Sequence, residues 1–256
     1  MFRVLAAGAL VALALSGCVE YDFGDDGDAI HAVVHERFSA RSDVSVSVAN
    51  VSGDVRILPW NQGLVDIVAV KSASSAEGLR RVTVEIERDQ SPAESVSIRT
   101  HYVNEWFGHS SGSVDYTVHV PRGTSVDVSE VSGDVTATGL RGDVHVHSVS
   151  GNVTALRVGG NLTVHSVSGD VHVSMLRMDA GREADVDTVS GDIHLGVPAT
   201  ATAFVDANTL SGDFDSPWPL QAQREMVGVQ VRGAIGHGGG DITLKSISGD
   251  IHLERT

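Results

Sequence analysis

The pentad Val149-Ser150-Gly151-Asn152-Val153 returns 18 residues later as Val167-Ser168-Gly169-Asp170-Val171. Variants of it begin at Val51, Val131, Val189, Leu210 and Ile247. A chain that repeats at so short a period folds by stacking, because one unit alone cannot bury its apolar face. Gly133, Gly151 and Gly169 set the step of 18, and Gly142-Asp143 and Gly160-Asn161 divide it into halves of 9. Half a step supplies one strand of about five residues and a turn. The spacing therefore predicts an all-β, two-sided β-solenoid of about 18 residues per coil.

Within a unit the apolar slots alternate with polar ones, the pattern of half-buried strands. Residues 142 to 150 place Val144 and Val146 inward, His145 and His147 outward, and Val149 inward again. The predicted corners are Gly53-Asp54, Gly133-Asp134, Gly151-Asn152, Gly169-Asp170, Gly191-Asp192, Gly212-Asp213 and Gly249-Asp250. Glycine gives each corner access to positive φ, and the short Asp or Asn side chain can bond neighbouring backbone N–H groups. Stacked corner carboxylates about 4.8 Å apart repel by about 0.9 kcal/mol in water. Asn152 and Asn161 fill the same slot without charge, so the corner reads as a turn device and not as a cation column. Only Gly238-Gly239-Gly240-Asp241 approaches the glycine-richer pattern of calcium-binding β-rolls.

Before the regular copies, Val44, Val46 and Val48 open a series of alternating runs, so a strand-rich N-terminal portion of the same domain precedes the repeats. Ile30 to Phe38 has the composition of a short helix, and Ser216 to Met226 reads as a loop inserted at the edge.

The N-terminus carries an address. Met1-Phe2-Arg3 precedes an apolar run, Val4 to Leu15, that is too short for a settled membrane span and reads as an export signal. The run ends in Leu15-Ser16-Gly17-Cys18, which resembles the lipobox of bacterial lipoproteins, and Cys18 is the only cysteine. The expected division is a signal peptide at 1–17, a lipidated Cys18 with an acidic tether at 18–41, and a β-repeat domain at 42–256. Within that domain, 42–120 holds irregular strands and 121–256 the Ser-Gly-Asp repeats. Val19 after the cysteine favours outer-membrane sorting in a host with two membranes.

With 18 Lys and Arg against 33 Asp and Glu, the chain has a formal charge of −15. No basic stripe is available to displace counterions, which excludes a nucleic-acid partner. Aromatic residues at 5% are sparse for a sugar-stacking surface.

Four residues before successive corner glycines stand His147, His165 and Asp187, a donor set that could take zinc or another transition metal. A second column holds His172 and His194, with His252 farther along. His31 and His35 have the spacing of a zinc-protease helix but lack its glutamate, and no Gly-x-Ser-x-Gly elbow occurs.

From about Phe38 to Thr256 the sequence resembles a bacterial envelope family labelled putative adhesin, a β-strand-repeat domain of unknown function. The match rests on Val51-Ser52-Gly53-Asp54-Val55 followed by Trp60, the Ser-Gly-Asp corners, and the ending from Gly239-Gly240-Asp241 to Ser248-Gly249-Asp250-Ile251. The resemblance implies no catalytic residues and no cofactor. The role expected is a non-catalytic, lipid-anchored envelope protein whose partners are the membrane, through its lipid, and a protein or glycan. The alternatives are a polysaccharide-acting β-helix enzyme or a metal- or calcium-binding envelope protein.

Overall fold

The computed structural model describes residues 18–22, 29–103, 112–224 and 228–256. The chain opens with β1 (Cys18–Asp22), β2 (Ile30–Ser52), β3 (Val55–Trp60) and β4 (Leu64–Ala73). A short helix α1 (Ala76–Arg81) leads to β5 (Val82–Arg88), β6 (Ala93–Tyr102) and β7 (Gly112–Pro121). Then come the regular coils, each a strand pair: β8 (Ser125–Ser132) with β9 (Val135–Thr138), β10 (Val144–Ser150) with β11 (Val153–Val158), β12 (Leu162–Ser168) with β13 (Val171–Met175), and β14 (Glu183–Ser190) with β15 (Ile193–Val197). The remainder comprises β16 (Ala203–Ser211), β17 (Phe214–Asp215), β18 (Gln221–Arg224), β19 (Val229–Ile235), β20 (Gly240–Ser248) and β21 (Ile251–Arg255).

The predicted two-sided solenoid is the observed fold. One face, called the front here, runs β5-β6-β2-β8-β10-β12-β14-β20-β16-β19-β18, and its pairs are parallel from β6 to β16. The back runs β1-β2-β4-β7-β3-β9-β11-β13-β15-β21-β17 and is parallel from β7 onward. β2 is long enough to serve both, its first half in the back sheet and its second half in the front. Between the sheets lies a thin core of Val, Ile, Leu and Ala, with Val144, Val146, Val153 and Ala155 fully buried. Small branched side chains suit this interior because the two sheets face each other across only one layer from each side.

Coil order departs from chain order at both ends. β20 and β21 insert between the β14–β15 coil and the β16–β17 coil, so the last strands of the chain are interior to the stack. At the other end β2 and β3 lie between the β6–β7 coil and the β8–β9 coil. Antiparallel strands then close each end: β5 beyond β6, and β19 followed by β18 beyond β16.

Three expectations are corrected. Ile30 to Phe38 is strand, not helix: it pairs with β4 from Ile30 opposite Ala73 to Ser39 opposite Leu64. Its Ile and Val residues suit a strand, and ladder bonds on both sides outweigh the local pattern. Residues 30–41 consequently belong to the sheet, and Cys18–Asp22 adds β1 against it with Cys18 opposite His35, so the tether reading fails for these segments. The expected edge loop is also different, since Trp218 and Leu220 pack on the core and β18 pairs with β19. Met1 to Gly17, the proposed export signal, lies outside the described residues. Among the described residues no helix is long and apolar enough to cross a membrane.

Candidate functional site

Every repeat position becomes a row of side chains running along the stack, because the parallel pairs are in register: Val144 lies beside Leu162, His147 beside His165 and Ser150 beside Ser168. Function in such a fold belongs to rows, and four of them matter.

The first is the corner. Six of the seven corner glycines have positive φ, among them Gly151 at 125° and Gly169 at 120°; Gly212 is the exception. Conformation is only half the reason for glycine. A Cβ on Gly151 would stand 2.1 Å from the Gly133 carbonyl oxygen, and one on Gly169 would stand 2.2 Å from that of Gly151. The Asp and Asn side chains do not bond within their own turns as expected. Asn152 N–H donates to Asp134 Oδ1 at 2.8 Å, Asp170 N–H to Asn152 Oδ1 at 3.0 Å, and Asp192 N–H to Asp170 Oδ1 at 3.0 Å. The row continues through Asp250 to Asp213, and begins at Asp54, whose N–H donates to Asp115. Each corner side chain thus satisfies the backbone of the next coil, a job one carboxylate or amide oxygen does equally well.

The second row corrects the inward assignment of Val149. Alternation runs unbroken from Val144 through Val149, since the strand does not turn until Gly151, and Ser148 is the buried partner at 3% exposure. Val149 is 48% exposed. In register with it stand Val51, Val131, Val167, Val189, Ile247 and Leu210, all between 41% and 51% exposed. Seven aliphatic side chains therefore form one continuous outward row. Alongside it, on the front sheet, a groove of about 510 Å³ is lined by Val51, Val131, Val149 and Val167 with Ser129, His147 and His165.

The third row carries the candidate metal ligands. His147 and His165 stack with ring centroids 5.1 Å apart and planes 20° from parallel, and His165 Nδ1 lies 3.5 Å from Asp187 Oδ2. Sequence reasoning correctly brought these three together, but not as a cage. Stacked imidazoles present their nitrogens side by side, and Lys245 Nζ sits 3.5 Å from the other oxygen of Asp187. Among the described residues no group of three or more His, Cys, Asp or Glu is disposed to hold a metal ion. On the back sheet His172, His194 and His252 stack at 4.5 and 4.6 Å, because β21 inserts beside β15. His31 and His35 are separately engaged, with Ser72 and with Asp66.

The fourth row, buried beneath the front sheet, was not singled out from sequence. It contains Asn50, Glu130, Ser148, Ser166, Thr188, Ser246 and Thr209, each at most 5% exposed. Burial raises the Glu130 carboxyl to a pKa of about 7, against backbone N–H bonds from Ser132 and Val131 and the Asn50 amide that favour its charge. Glu130 Oε2 has no hydrogen-bond partner among the described residues. Nearby, the Thr100 hydroxyl donates to Asn50 Oδ1 at 2.8 Å and lies 2.7 Å from the Tyr116 hydroxyl, whose pKa burial raises to about 12. The signal for this row was available: strict period 2 carried one residue past His147 reaches Ser148.

A general acid needs a raised pKa and access to substrate. Glu130 has the first and is only 2% exposed. Asp66 lies near Trp60 and His119, which stack at 5.2 Å, but its hydrogen bond from Arg37 at 2.7 Å holds its carboxyl below the usual range.

A family model described as Toastrack DUF4097 matches residues 39–254, most of the chain. The chain belongs to the Toastrack DUF4097 family. Toastrack describes the architecture aptly, a rack of coils with side chains in rows. Among solved structures, a putative cell adhesion protein from Clostridium sporogenes is similar at 11% identity and a TM-score of 0.50, covering 88% of this chain and 100% of that one. A putative adhesin from Bacteroides fragilis is similar at 12% identity and a TM-score of 0.43, covering 86% and 96%. At such identities the likeness is one of fold. No curated protein matches the sequence.

Proposed function

We propose that this Toastrack domain is a non-catalytic scaffold of the cell envelope, anchored through an acylated Cys18, whose rigid outer rows bind a partner macromolecule. The observation that carries the reading is the continuous row of seven half-exposed aliphatic side chains, since contiguous exposed apolar surface on a folded protein marks a contact site. The rows cannot move independently, because each corner is locked to the next by glycine contacts and Asp ladders. Rigidity of this kind serves presentation better than chemistry. The adhesion-protein description of the Clostridium structure is consistent with that role. Acyl chains, each methylene contributing about 0.8 kcal/mol on insertion, would hold the domain at a membrane. With Cys18 opposite His35, that anchor enters directly at the edge of the back sheet.

Affinity capture from crosslinked cells, with wild type beside Cys18→Ser and palmitate labelling of both, tests the proposal. A protein or glycan enriched with the labelled wild type and lost from the unlabelled Cys18→Ser form is expected. Absence of label in wild type would overturn the anchor, and release of reducing ends from envelope polysaccharide, abolished by substituting one exposed carboxylate, would overturn the non-catalytic assignment.

A further inference from the structure

The aliphatic row has acidic neighbours on one side. Beyond its valines the strands pass through a serine, for example Ser150 and Ser168, and the corner glycine to the Asp row, whose members Asp134 and Asp170 are exposed. One oxygen of each ladder carboxylate accepts the next coil's N–H, as Asp134 Oδ1 does from Asn152, so these acids are fixed in place while their charge stays at the surface. On the other side of the row lie the groove and, farther out on the same face, Asp127, Asp185 and Asp206. The basic side chains that face these rows are already paired: Lys245 with Asp187, Arg56 with Asp54, Arg232 with Asp206 and Arg99 with Glu87.

We infer that this edge is a docking surface for an amphipathic helix with a branched aliphatic face flanked by lysine or arginine. Three observations select that occupant. Seven rungs about 4.8 Å apart make an apolar strip about 29 Å long, the length of a helix of about 20 residues. The strip is one side chain wide and runs across the strands, so an added β-strand cannot reach backbone N–H or C=O groups along it. Charge decides against a second copy, which would set the same acidic rows against these on a chain of formal charge −15, and in favour of a cationic flank. The groove beside Val131, Val149 and Val167 accepts the larger side chains of the helix.

This inference rests on the partner-binding reading above and names the chemistry of the partner. The test uses the full acylated chain in phosphatidylcholine nanodiscs and two labelled peptides of about 20 residues with the same Leu and Val face. One peptide carries Lys on its flanks and the other Glu, with empty discs as the blank. Fluorescence anisotropy should show binding of the Lys peptide, at least tenfold weaker binding of the Glu peptide, and at least tenfold loss with Val149→Ser/Val167→Ser. Both substituted positions are half-exposed, and circular dichroism should show an unchanged melt for that variant. Equal affinity for the two peptides, no binding of either, or indifference to the serine variant would overturn the inference. So would sedimentation showing that the wild type dimerises and the serine variant does not. If neither peptide binds while cellular capture still returns a specific partner, the helix assignment fails and the scaffold reading stands; if capture also returns none, both fail.

Discussion

Asp250 donates its backbone N–H to the carboxylate of Asp192 at 2.8 Å, joining two corners 58 residues apart in the chain. The contact exists because β20 and β21 slide in beside β14 and β15, and it shows that the corner acids bridge coils irrespective of sequence distance. Asp192→Ala should leave the Asp250 N–H without its partner and cost about 1 kcal/mol, whereas Asp192→Asn, the residue type already present at 152, should cost little. Urea denaturation of the two variants checks this, and equal losses would mean that charge and not the acceptor oxygen is needed.

Glycines with positive φ should divide into two groups, corner glycines such as Gly151 and turn glycines such as Gly181. Gly151→Ala meets both a positive φ of 125° and a carbonyl oxygen 2.1 Å from its Cβ, and should cost more than about 3 kcal/mol. Gly181 has a φ of 79° with nothing within 4 Å of a Cβ, so Gly181→Ala carries only the conformational penalty of about 1 kcal/mol. Matched denaturant midpoints for the two would remove close stacking as the reason for the repeat's glycine.

Glu130 should make the protein less stable as pH rises. Its folded pKa of about 7 lies above the ordinary value of 4.5, so the folded state holds the proton more tightly. The contribution is fully present below pH 4.5 and is lost as pH climbs through about 7. After allowance for relaxation around the carboxylate, the loss is on the order of 2 kcal/mol. Glu130→Gln should flatten the difference between urea midpoints at pH 5 and pH 8 and raise the midpoint at pH 8. Asp66 works with the opposite sign, since Arg37 lowers its pKa and its contribution is lost only in acid, outside this window.

Ser148→Ala should stabilise the protein by up to about 1 kcal/mol, because the buried Ser148 hydroxyl has no partner among the described residues. Val149→Ser, one residue on, should change stability by less than about 0.5 kcal/mol from a half-exposed position. If Ser148→Ala were neutral and Val149→Ser costly, the two residues would face opposite to the arrangement described.

Much of this was legible in the sequence. A fixed step of 18 residues dictated coils, and Gly with Asp or Asn at each step dictated corners, because few residue types tolerate those backbone demands. Counting four residues back from successive corner glycines likewise aligns His147, His165 and Asp187, although the last step is 22 residues. What the period could not convey was which coil neighbours which at the ends. His252 beside His194 follows from an inserted coil, a choice made by tertiary packing and not by any local preference of Ile251 to Arg255. Ile30 to Phe38 misled for a related reason: its pairing partner in β4 lies some 30 residues away, and only that pairing decides between helix and strand. At Val149 the failure was of another sort, an assumption that every valine points inward, although Ser148 and Val149 together preserve the alternation.

The insertion of the final coil also orders events in time. A solenoid stacked in chain order can consolidate one coil after another as it leaves the ribosome or a translocation pore. Here the β16–β17 coil cannot join the stack until β20 and β21 emerge, because those two strands supply the rows between it and β14 and β15. The gap beside β14 and β15 therefore stays open, with two parallel edges bare, until Ile251–Arg255 has been delivered. A molecule lacking β20 and β21 would leave that gap unfilled and the β16–β17 coil with its capping strands unplaced.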